Sequence, residues 1–143
     1  MTAADWMDIG MAGTMLVWAT WQDVRSYTIP LVAIVYGVLA GLITAWTFHG
    51  GYGLLEAGIG GLLGGGLGWV LVRVVKLGEG DAGLFLALGV IFGPVIVLSV
   101  FIASNVLILL RFLVPVLRKK KIRIAVAPYI LAATAIVECL HWI

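Results

Sequence analysis

The chain has 143 residues, 63% of them hydrophobic and only 11% charged, with a formal net charge of +2 and a mean hydropathy of +1.17. Soluble domains run at about 45–50% apolar and about 25% charged. A soluble fold this small could not cover so much apolar surface, so that class is excluded and an integral membrane protein is expected. The one cysteine, Cys139, excludes an intrachain disulfide and a cysteine-based zinc site. Nothing reads as a soluble module or a linker, so residues 1–143 are expected to form a single integral-membrane domain. Asp5 and Asp8, with no basic stretch before them, argue against a secretory signal at the N-terminus.

A helix needs about 20 apolar residues to cross a bilayer. The first apolar run covers residues 6–22 and is slightly short. The second covers 29–48 and places Pro30 in its first turn, where a missing N–H costs nothing. The third, 52–75, carries Gly58, Gly60, Gly61, Gly64, Gly65, Gly66 and Gly68. The stretch 82–117 would be about 54 Å long as one helix, more than a tilted span needs. Gly93-Pro94 is its natural break, giving a short span at 82–92 and a longer one at 94–117. The last run goes from 124 to the C-terminus. The expected fold is therefore an all-α polytopic bundle of six transmembrane helices with a short fourth span.

The charges agree with six crossings. Arg25, Arg73, Lys76, Arg111, Arg118, Lys119, Lys120, Lys121 and Arg123 then fall at or near one face, and Asp5, Asp8, His49, Glu56, Glu138 and His141 fall at the other. Basic loops stay in the cytoplasm, which puts both termini outside. The same count brings Asp23, at the end of the first run, and Asp81, at the start of the fourth, to the cytoplasmic edge. Acidic residues at a bilayer edge are costly and mark function. Two carboxylates at one depth suggest acid–base chemistry: like charges a few ångströms apart leave one group protonated, so one can activate water while the other polarises a carbonyl. Which of the two is the base stays open.

Each aspartate sits in a motif. The first is Asp23-Val24-Arg25-Ser26-Tyr27-Thr28-Ile29-Pro30, and the second is Gly78-Glu79-Gly80-Asp81-Ala82-Gly83-Leu84. Gly78 and Gly80 fit a close backbone approach, having no Cβ and free access to positive φ. In order, spacing and side, these motifs resemble the type IV prepilin peptidases and the related archaeal preflagellin peptidases, which are GxGD-type intramembrane aspartic proteases. Ala127-Pro128-Tyr129-Ile130-Leu131-Ala132 is similar to the Pro-aromatic segment that opens the last span of that family. The resemblance implies an intramembrane aspartic endopeptidase with Asp23 and Asp81 as catalytic residues, supported by Gly78, Gly80, Arg25, Ile29 and Pro30. It implies a pilin-like or flagellin-like precursor as substrate, cut at the cytoplasmic face of the cell membrane to remove a short basic leader. It also implies the short, peptidase-only form, without methyltransferase activity. Leu31 and Gly83 depart from the family pattern, which often has Asn or Asp and Lys at these places.

The remaining features have plainer expectations. Arg118 to Arg123 suit topology and anionic lipid, and Glu79 suits a solvated position. Gly60, Gly64 and Gly68 suit close helix packing, with a homo-oligomer face through the same glycine-rich span as a further option. Glu138 and His141 are three apart, but two ligands do not make a metal site. No metal, cofactor or nucleic-acid partner is expected; the bilayer and the precursor are. Two alternatives remain: an inactive relative acting as an assembly factor, and a small proton or cation transporter subunit.

Overall fold

The computed structural model describes residues 1–76, 78–117 and 124–143. The basic cluster at 118–123 therefore lies outside the described residues. The described chain forms four helices: α1 (Ala3–Ser26), α2 (Leu31–Val75), α3 (Glu79–Leu117) and α4 (Ala127–His141). Helix α1 opens on a capping box in which the Thr2 hydroxyl accepts from the Asp5 amide while Asp5 accepts from the Thr2 amide. It ends where Tyr27 turns left-handed, with φ 52°, and its N–H donates to the Asp23 carbonyl at 2.8 Å. The buried residues of α1 are Ala4, Ala12, Met15, Leu16, Ala19 and Asp23, a stripe at helical spacing that ends on an acid.

The expectation of six transmembrane spans is overturned. Among the described residues there are four helices, and two of them, α2 and α3, are long and apolar enough to cross a membrane. The six-span reading took residues 49–51 and 93–94 as breaks that close one helix and begin another. Instead the chain remains helical up to a single non-helical residue on each occasion: Gly50, with φ 60° and ψ −142°, and Gly93, with φ 81° and ψ −179°. Only glycine takes such angles cheaply, and one residue is enough to kink each helix without a loop. The short fourth span is accordingly the first part of α3, and the placing of both termini outside by counting six crossings falls with it. Pro30 also moves: it caps α2 from outside the first turn.

The two halves of α2 flank the same part of α3. A Cβ built on Gly41 would stand 3.0 Å from Val90 Cγ1, and one built on Gly61 would stand 2.7 Å from Val90 Cγ2. Glycine makes this clasp close. Gly60 faces the backbone of Gly89 and Gly93, Gly64 faces the Phe85 carbonyl, and Gly68 faces Ala82, with a built Cβ 2.6 Å from Ala82 Cα. The i, i+4, i+8 stripe of the glycine-rich segment is thus filled by α3 backbone, as small-residue interfaces in membranes are.

One apolar core joins the four helices. Met15 and Leu16 of α1, Leu84, Phe85, Leu88, Val97 and Val100 of α3, and Ile130 of α4 are fully buried in it. The Phe85 and Phe101 rings meet edge to face at 5.2 Å. Large apolar side chains also point outward: Leu62 is 81% exposed, Val95 75% and Leu110 70%. An outer surface this apolar suits lipid rather than water.

Candidate active site

Asp23 lies in the last turn of α1 and Asp81 in the first turn of α3, and they are 5% and 7% exposed. Buried acids are rare without a partner or a task. They stand 58 positions apart in the chain, yet both are buried at one end of the bundle, where the motif of one packs against the motif of the other. The structure thus brings the two sequence-predicted acids together.

Their motifs also touch. A Cβ on Gly80 would stand 2.7 Å from Ile29 Cβ, so the backbone of the second motif lies directly against the side chain of the first. Gly80 is needed for that approach and not for backbone freedom. Among the glycines of the described residues, positive φ occurs at Gly50 and Gly93, and neither Gly78 nor Gly80 has it. Gly78 carries the turn before α3: its carbonyl accepts from the Asp81 N–H at 3.1 Å, and a Cβ there would meet Asp81 Oδ2 at an ordinary 3.6 Å. Ile29 is half-buried, and Pro30 at φ −69° turns the chain into α2.

Two basic residues at this end of the molecule lie over tryptophan rings. Arg25 is exposed and lies over the Trp21 ring at 4.2 Å, and Arg73 lies over Trp69 at 4.9 Å. Glu79 is exposed. The two departures from the family pattern have local explanations. Gly83 packs under Ile34, where a longer side chain would collide, and Leu31 is 72% exposed on the outer surface of α2.

One contact at the site was not foreseen. Asp23 Oδ2 accepts a hydrogen bond at 3.0 Å from the backbone N–H of Ala127, 104 residues further along the chain. Val126, the residue before it, stands at the N-cap of the same helix. Both residues are buried at the opening of α4, whose first turn holds Pro128. A proline just inside a helix start signals free amides nearby, but nothing in the local sequence says which acid they meet.

The opposite end of the molecule has a different character. Asp5, Asp8, His49, Glu56, Glu138 and His141 all line one cavity of about 180 Å³. Asp8 Oδ1 and Glu138 Oε1 are buried there without a hydrogen-bond partner among the described residues. No group of three or more His, Cys, Asp or Glu among the described residues is arranged to hold a metal ion. Along α1, this end is about 25 Å from Asp23 at the helical rise.

A model of the type IV leader peptidase family matches residues 11–113. The chain belongs to the type IV leader peptidase family. No curated protein and no solved structure matches it. Membership makes this leader peptidase a protease by family, and with its two long apolar helices a membrane protein. Both aspartates and both motifs fall inside the matched stretch of the leader peptidase. Its helix α4, which supplies the amide on Asp23, falls outside it.

Proposed function

We propose that this leader peptidase is an intramembrane aspartic endopeptidase. Asp23 and Asp81 are its catalytic residues, and it removes the short basic leader of a pilin-like or flagellin-like precursor at the cytoplasmic face of the membrane. The observation that carries this reading is the burial of two acids, far apart in the chain, in motifs that pack against each other. In this reading the two carboxyls hold one proton between them, as a pair of acids a few ångströms apart does. The ionised carboxylate takes a proton from water as the water oxygen attacks the scissile carbonyl carbon. The protonated carboxyl gives its proton to the carbonyl oxygen, forming a neutral gem-diol. Collapse returns one hydroxyl proton to the second carboxylate, the first carboxyl delivers its proton to the leaving nitrogen, and the C–N bond breaks. Water is consumed, and the pair ends as it began.

Two further features support the substrate and the side. Ala82 and Gly83, next to Asp81, close one end of an apolar groove of about 440 Å³ that includes Gly61, Gly65, Gly66 and Trp69. That suits a cut beside a hydrophobic helix. Arg25, Arg73 and Lys76 share the end of the molecule that holds the acids, while the far end gathers carboxylates and histidines. Basic residues favour the cytoplasmic side.

The test is co-expression with a pilin-type precursor and separation of processed from unprocessed chains on a gel. The wild-type chain is expected to remove the leader. Asp23→Asn and Asp81→Asn are each expected to lose about 100-fold or more of the rate while the protein accumulates to the same level. Processing that survives either substitution would remove that residue from the catalytic pair.

A further inference from the structure

The two acids are not equivalent in their surroundings. Asp23 ends α1, so it sits beside the negative end of its own helix. Against that, α4 aims its opening turn at the same carboxyl: the Ala127 N–H donates to Oδ2 at 3.0 Å. An N–H donates and cannot accept, so the oxygen it meets must present a lone pair. The donor is fully buried, with Ala127 at 0% and Val126 at 2% exposed, so water cannot replace it. Helix α4 runs for 15 residues behind this contact, long enough for its positive end to count. Its opening is fixed by Tyr129, whose ring meets Phe112 of α3 edge to face at 5.8 Å. Asp81 has its own local donor, the Gly78 backbone, and the first turn of α3 around it; among the described residues no hydrogen bond reaches it from a distant helix.

We infer that the first turn of α4 holds Asp23 as the ionised, water-activating member of the pair, so that Asp81 carries the shared proton and polarises the scissile carbonyl. Ala127 is then a positioning residue acting through its backbone. This rests on the aspartic peptidase reading above and deepens it by assigning the two roles. It also places a helix outside the family match in the working machinery. Helices α2, α3 and α4 all pack against α1, which carries Asp23. From α3, Asp23 faces Asp81, from α4 the Ala127 amide, and from α1 itself Arg25, which is turned onto Trp21; at the end of α2 stand Arg73, turned onto Trp69, and Lys76, exposed at the C-cap.

The experiment is the pH profile of leader removal by the purified full chain on a synthetic precursor, for wild type, Ala127→Gly and Ala127→Pro. Glycine keeps the N–H and proline deletes it. The acidic limb reports the pair's first ionisation, which this assignment gives mainly to Asp23, and losing a donor to the ionised form makes that ionisation harder. Ala127→Pro is therefore expected to move the acidic limb up by about one pH unit or more with the alkaline limb in place, and Ala127→Gly, whatever its rate, to keep the acidic limb where the wild type has it. A stable Ala127→Pro enzyme with an unmoved acidic limb overturns the assignment. If the proline variant does not fold, infrared titration decides without it, using the Asp23→Asn/Asp81→Asn double variant as baseline. The carboxyl remaining in Asp81→Asn is expected to ionise at lower pH than the carboxyl remaining in Asp23→Asn, and the reverse order overturns the assignment. A wild-type chain that cleaves no precursor sinks the peptidase reading instead, a result the infrared comparison keeps separate.

Discussion

Gly80 and Ile29 meet so closely that one added carbon on the glycine would stand 2.7 Å from Ile29 Cβ, inside any tolerable contact. Real Cβ atoms do not approach this far, so the backbone of the Asp81 turn or the segment leading into α2 would have to move. Gly80→Ala is expected to cost about 1–3 kcal/mol of stability, as overpacking does. It should also lower cleavage by about 100-fold through displacement of Asp81. Gly78→Ala, with its nearest atom at 3.6 Å, is expected to keep near-normal activity. Paired rate and thermal-melting measurements on the two variants check this; equal damage from both would mean that the Gly80–Ile29 contact is not what fixes the turn.

Asp23, Asp81 and the two motifs could be read from the chain because their spacing and residue types are local signals. The acids also stand out chemically against an apolar background. What the sequence could not carry was long-range or depended on a single dihedral. The Ala127 amide meets Asp23 across 104 residues. The breaks expected near residues 50 and 93 turned out to be one-residue kinks, because a lone glycine at positive φ redirects a helix without ending it. That is why six spans were expected where the chain forms four helices. Of the two properties expected of Gly80, the close approach is present, against Ile29, and the positive φ is not.

The glycine-rich half of α2 separates packed positions from open ones. Gly60 and Gly64 lie against α3 backbone, whereas Gly58 and Gly66 have nothing within 4 Å. Gly60→Ala and Gly64→Ala are expected to destabilise by about 1–3 kcal/mol, since the obstructing atoms are main chain and cannot rotate away. Gly58→Ala and Gly66→Ala are expected to stabilise by about 0.5–1 kcal/mol through the lower entropy of the unfolded chain. Melting curves of the four single variants in one detergent give the comparison, and a loss at Gly58 or Gly66 equal to that at Gly60 would show that a second surface also packs there.

Cleavage is expected to follow a bell-shaped pH profile. Activity needs one carboxyl ionised and one protonated. It should rise with pH as the pair loses its first proton, then fall as the second leaves and two negative charges face each other. Both limbs belong to the pair rather than to one residue. Asp23→Asn and Asp81→Asn should therefore show no pH at which full activity returns. A single-limbed wild-type profile over the range where the protein stays folded would be incompatible with a shared proton.

Cys139 offers a direct check of orientation. It is the chain's one cysteine and is exposed, near the end of α4 beside Glu138 and about 18 Å along the helix from Ala127. If the acid pair with Arg25, Arg73 and Lys76 faces the cytoplasm, Cys139 belongs to the far end, with the carboxylate and histidine cavity. A membrane-impermeant thiol reagent added to intact cells is expected to label it. In a Cys139→Ser background, Ser26→Cys places the thiol on an exposed position at the acid end, and the same reagent should label it only after the membrane is opened. The opposite pattern would put the acids on the outer face. A leader held in the cytoplasm could not then reach them, and the basic residues around the site would owe their position to something other than topology.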